Sequence, residues 1–74
     1  MKTTREATEV NKMKLRRLEL ELTQYQLEKL TNIHQARLSL FERGFRKPSQ
    51  NEKRKIAKAL RVKEEMLFEE RTNS

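Results

Sequence analysis

Apolar residues recur along this chain every three or four positions, and no stretch alternates apolar with polar over a strand's length. Val10, Met13 and Leu20 fall on one face of a helix predicted from about Thr8 or Glu9 to Leu22, with Arg17 set in the same stripe. Leu15, Leu18 and Leu22 form an adjacent stripe. Thr23 begins a second helix. It can N-cap, and Gln26 three residues on completes a capping box. This helix reaches about Leu30 or Thr31, where Asn32 can take the left-handed conformation that ends it.

A third helix is predicted from about Gln35 to Arg43, with Leu38 and Phe41 inward at i, i+3 and Gly44 as its stop. Leu40 faces outward in this register and inward in one shifted by a residue. Ser49 and Glu52 make a second capping box for a fourth helix, whose apolar face is Ile56, Ala57 and Leu60. Val62 lies in a connector. A short fifth helix follows from Lys63 to about Glu70, with Leu67 and Phe68 inward. The reading is an all-α, compact five-helix bundle spanning residues 9–70. Residues 1–8 form a flexible N-terminal segment, and 71–74 a disordered tail. A coiled coil is the structural rival. Its Leu15, Leu18, Leu22 spacing breaks at Thr23, Asn32 and Gly44, so no heptad persists.

Seventy-four residues are enough for one small domain with a thin core. The chain holds no cysteine, so disulfides and thiolate metal sites are excluded, which suits a reducing cytoplasm. No apolar run approaches the roughly 20 residues of a membrane span, and the N-terminus lacks the apolar core of a secretory signal. Eighteen Lys and Arg against 11 Glu and no Asp give a net charge of +7. That excess favours a polyanion as partner, nucleic acid before an anionic membrane. The basic helix at 52–63 lacks the bulky one-sided apolar face that membrane binding needs. One histidine, no glycine-rich phosphate loop and no paired carboxylates argue against an enzyme, a metal centre or a cofactor.

The only glycine and only proline stand four residues apart, in FERGFRKPS, residues 41–49. They follow two short helices joined by a tight turn, the outline of a helix-turn-helix over about residues 23–43. The run TQYQLEKLTNIHQARLSLFERGFRKP resembles the phage repressor and Cro type of helix-turn-helix, the XRE family. Thr23-Gln24, Leu27, Asn32-Ile33, Leu38, Phe41, Glu42-Arg43-Gly44 and Pro48 carry the likeness, and AKALRVKEEMLF resembles the family's ending. The resemblance covers about residues 11–68.

The resemblance implies a partly buried ion pair between Arg17 and Glu42. It also implies that the third helix enters the major groove of double-stranded DNA. His34, Gln35, Ala36, Arg37 and Leu40 would then read bases. Gln35 is suited to adenine, Arg37 to guanine or a phosphate, and Ala36 and Leu40 to a thymine methyl. Gln24, Arg43, Arg46 and Lys47 would contact phosphates, with Gln24 also bracing Gln35. Gly44 would end the recognition helix, and Pro48 would set the start of the fourth.

Several residues depart from the family pattern. Glu28 replaces a small residue and must swing outward or find a cation, Arg37 or Lys29. Thr31 replaces an aliphatic. Leu30 and Phe45 replace polar residues, Arg61 a glycine, and Gln50, Lys53 and Glu64 apolar ones. The expected function is a sequence-specific transcriptional regulator, a repressor binding an inverted repeat as a homodimer, with Met66, Leu67 and Phe68 as the candidate dimer surface. The alternative is a protein-interaction module on the same scaffold, such as an antitoxin or a regulator antagonist. Exposed Leu30 and Leu40 would suit it.

Overall fold

Asn11 has a non-helical backbone, and its Oδ1 accepts hydrogen bonds from the backbone N–H groups of Met13 and Lys14, 2.8 and 3.3 Å away. It therefore caps the first helix, α1, Lys12–Glu19. The computed structural model describes residues 11–68. The other elements are α2, Gln24–Thr31; α3, Gln35–Glu42; α4, Gln50–Leu60; and α5, Glu64–Leu67. There is no strand among the described residues. The segments read as flexible and disordered from sequence, 1–8 and 71–74, lie outside them.

Two helices are shorter than their apolar spacing suggests. The first was expected to begin near Thr8 or Glu9, but Asn11 captures the leading N–H groups, so it begins at Lys12. It was expected to reach Leu22, but Glu21 turns left-handed at φ 58°. Glu21 N–H then donates to Leu18 O, and Leu22 N–H reaches back to Arg17 O. That turn brings Leu22 in against the core and leaves Leu15 and Leu18 exposed. The second stripe of α1 is thus not a core face. The last helix was expected to run from Lys63 to Glu70. Phe68 leaves helical geometry at φ −123°, and Glu69 and Glu70 lie outside the described residues.

Both predicted capping boxes are present. Thr23 Oγ1 accepts from Gln26 N–H, and Gln26 Oε1 from Thr23 N–H. Ser49 and Glu52 repeat the exchange at α4. Four left-handed residues, Glu21, Asn32, Gly44 and Arg61, reverse the chain after the first four helices. Only one of them is glycine. At Arg61 and Gly44 the two backbone bonds of a Schellman closure form, as they do at Glu21.

The core is Met13 from α1, Leu27 from α2, Ile33 from the turn, Leu38 and Phe41 from α3, and Ile56 and Leu60 from α4. Leu20, Leu22, Ala59, Val62, Leu67 and Phe68 pack on it half-buried. Thr31 is buried at the end of α2, where an aliphatic residue is usual. Its hydroxyl donates to Leu27 O (2.8 Å) and accepts from Ile33 N–H (3.2 Å). Both its hydrogen-bonding roles are used, so burying it leaves no unsatisfied group. The substitutions in α4 and α5 are accommodated at the surface: Gln50 Nε2 donates to Glu64 Oε1, tying the two helix starts together.

Candidate nucleic-acid interface

α2, the turn at Asn32-Ile33 and α3 are locked together by polar groups. Asn32 sits at φ 63°, and its N–H closes α2 on Glu28 O at 2.7 Å. Glu28 takes neither of the cations that its sequence position offered, Arg37 or Lys29. Its Oε1 accepts from Gln35 N–H at 3.1 Å, so it caps the first turn of α3 across the turn. Lys29 instead lies over the Tyr25 ring. His34 is the N-cap residue of α3, and its Nδ1 accepts from Ala36 N–H at 3.0 Å. With Nδ1 as acceptor, Nε2 carries the proton of the neutral ring and has no hydrogen-bond partner among the described residues.

The other end of α3 is held more firmly. Arg17 Nε donates to Glu42 Oε2 at 2.7 Å, and Arg17 Nη2 to Glu42 Oε1 at 3.0 Å. Arg17 Nη1 donates to Leu22 O at 2.7 Å. Gln24 Nε2 adds a bond to Glu42 Oε1 at 3.1 Å. Both members of the pair are buried, and every guanidinium nitrogen has an acceptor, which is what makes a buried pair tolerable. Gln24 was expected to brace Gln35. It reaches Glu42 instead, because the start of α2 lies beside the end of α3. Asn11 Nδ2 adds a bond to Phe41 O.

These contacts orient the outer face of α3. At 100° per residue, Leu38, Phe41 and Glu42 point to the core, and Ala36, Ser39, Leu40 and Arg43 share the opposite stripe. Ala36 and Arg43 are exposed, and Ser39 and Leu40 half-buried. Leu40 is absent from the core cluster, which settles its register outward. Gln35 and Arg37 flank the stripe. Ser39 was overlooked in the sequence. Its spacing, three residues after Ala36 and four before Arg43, is the signal that places it there.

Arg37 does not stand free on this face. Its Nε donates to Glu52 Oε2 at 2.6 Å and its Nη2 to Glu52 Oε1 at 3.2 Å, while its guanidinium lies over the Phe41 ring. The hydrogen bond from Arg37 is the main reason that the Glu52 carboxyl is held down at about 2, and Glu52 in turn keeps the Arg37 guanidinium above its usual range. The same carboxylate accepts from Ser49 N–H. One side chain therefore fixes α3, the loop and the start of α4.

Beyond α3, Gly44 takes φ +77°, with open space where a Cβ would stand. Backbone conformation alone calls for glycine there. Arg46 and Lys47 follow, exposed. Phe45 is also exposed and lies under the Arg43 guanidinium, 4.8 Å from its ring centre, rather than under the loop.

Residues 13–67 match the helix-turn-helix family model, most of the chain. The chain belongs to the phage-repressor-like (XRE) helix-turn-helix family.

This family is one of DNA-binding regulators and is generally non-enzymatic. In this helix-turn-helix domain α2 and α3 are the paired helices, and α1 and α4 flank them. A comparison with curated proteins finds no match. Among the described residues no helix is long and apolar enough to cross a membrane.

Proposed function

We propose that the protein is a sequence-specific transcriptional repressor that lays α3 in the major groove of an inverted-repeat operator and binds as a homodimer. The outer stripe of α3 supports this most directly. Ala36, Ser39, Leu40 and Arg43 have no place in the core cluster, while both ends of the same helix are pinned by buried or capping bonds. A rigid helix with an uncommitted face suits base reading.

On this reading Gln35 and the Nε2 side of His34 face base edges at the start of α3. Ala36 and Leu40 meet thymine methyls, and Ser39 adds a hydroxyl. Arg43, Arg46 and Lys47 follow the phosphates along the loop, and a phosphate sits at the first turn of α2 beside Gln24. Arg37 serves mainly to hold α4 in place, and reaches DNA only by leaving Glu52. Repression would come from occupying DNA that polymerase needs. The site of action is wherever the cell keeps its DNA, the cytoplasm in a bacterium.

Selection from a random duplex library at physiological salt tests the proposal. An enriched inverted repeat, with half-sites about one helical turn apart, is the expected result. No enrichment by folded, helical protein would overturn it and favour the alternative, a protein-interaction module such as an antitoxin or a regulator antagonist. Exposure of Leu30, beside a groove that no residue of α3 lines, favours a protein contact there in either case.

A further inference from the structure

Leu30 is 59% exposed at the end of α2. It borders a groove of about 730 Å³ between the ends of α1 and α2 and the outer face of α4. Leu20, Leu22 and Ala59, all half-buried, supply the rest of its apolar lining. Thr31 and Asn32, at the turn that leads into α3, and the exposed Lys55, Lys58 and Arg61 complete it. No carboxylate lines it, and no residue of α3 or of the loop at 43–49 does. None of the three cations has an ion pair within the described residues.

We propose that this groove is a second binding surface, separate from the DNA-facing helix, and that it takes an acidic amphipathic helix of a partner protein. The size suits a few aliphatic side chains from one helical face. The lining gives leucines a place to go and gives flanking carboxylates three cations to meet. Lys55 and Lys58 lie three apart on α4 with Ala59 beside them, so the charges run along the apolar strip and not across it. A phosphate backbone would use the cations and leave the leucines wet. A second copy of the chain is a poor fit at this groove, because its acidic helix α5 has Leu67 packed on its own core, with Phe68 beside it.

The test uses a synthetic helical peptide with leucines at i, i+3, i+4 and i+7 and glutamates on both flanks. Its comparators carry lysines for the glutamates, or serines for the leucines. Binding to the full chain is followed by fluorescence anisotropy and by backbone-amide NMR. The acidic leucine peptide is expected to bind and to shift the amides of Leu20, Leu22, Leu30 and Ala59. Both comparators should bind roughly tenfold more weakly, as should the acidic peptide to Leu30→Gln or Lys58→Glu protein. Both substitutions are at exposed positions, so folding is retained, and an unchanged far-ultraviolet spectrum checks it.

Equal binding of the lysine peptide would overturn the proposal, as would no binding at all. Shifts confined to α3 and residues 43–47 would also overturn it, since the peptide would then be imitating DNA. Self-association of the free protein that Leu30→Gln abolishes would give the groove to a second copy. Movement of the groove amides on deleting residues 69–74 would give it to the chain's own end.

Discussion

Arg17 and Glu42, 25 residues apart in sequence, meet through two hydrogen bonds of 2.7 and 3.0 Å in the interior of the domain. The contact joins the helix before the helix-turn-helix to the last turn of its second helix. Gln24, from the first turn of α2, binds the same carboxylate. Three helices therefore share one charged centre, and the angle of α3 depends on it.

Removing one partner should be far worse than removing both. Arg17→Met leaves Glu42 buried with only Gln24 as donor, and is expected to destabilise the domain by about 3–5 kcal/mol. The double variant Arg17→Met, Glu42→Leu should recover much of that loss. Thermal and urea denaturation of the three proteins checks the order.

The Arg37–Glu52 pair predicts an acid sensitivity. Glu52 titrates at about 2 in the folded chain against an ordinary value of 4.5. Between those values the unfolded chain binds the extra proton, so the folded state loses stability as pH falls from about 4.5 towards 2 and keeps the full contribution above that window. Glu52→Gln should be less stable than the parent at pH 7 and should lose less on acidification. Melting temperatures of both proteins from pH 7 down to 2 measure this.

Left-handed backbone sets two opposite expectations. Arg61 adopts φ 60° with a side chain, and Gly44 adopts φ 77° without one. Arg61→Gly should stabilise the fold by about 1 kcal/mol, the left-handed penalty of roughly 1–2 kcal/mol being partly offset by the greater freedom of unfolded glycine. Gly44→Ala should destabilise it by about 1 kcal/mol through backbone strain alone, since nothing lies within 4 Å of the added carbon. Chemical denaturation reads both.

Base reading and phosphate contact separate by their sequence and salt dependence. Gln35→Ala is expected to weaken a selected operator by about 1–3 kcal/mol and to relax one base position, with little change on random DNA. Arg46→Ala is expected to weaken all duplexes alike and to lower the salt slope by about one. Titrations over a range of salt, on the selected operator and on random DNA, distinguish the two. An equal loss for Gln35→Ala on both duplexes would make it a backbone contact.

The sequence by itself determined the order of the helices and part of their punctuation. Thr23 with Gln26, and Ser49 with Glu52, are capping boxes whose partners lie three residues apart, so local chemistry suffices to place them. Asn32 and Gly44 announce their left-handed turns through residue type. Arg17 in an apolar stripe demands a partner, and the family resemblance points to Glu42.

Tertiary structure decided the rest, because it depends on which helix ends come close. Leu15 and Leu18 have the spacing of a core face, yet among the described residues no element packs over them. Glu21 and Arg61 take left-handed backbone that their residue types disfavour, held there by the packing of Leu22 and Val62 just beyond. Glu28 finds a backbone N–H and not a cation. Gln24 reaches Glu42 and not Gln35. Arg37, legible as a DNA contact, is drawn 15 residues along the chain to Glu52. Each of these side chains is long and polar and has several acceptors or donors to choose among. Sequence spacing specifies the face of a helix from which such a group departs, and only the folded arrangement specifies what it meets.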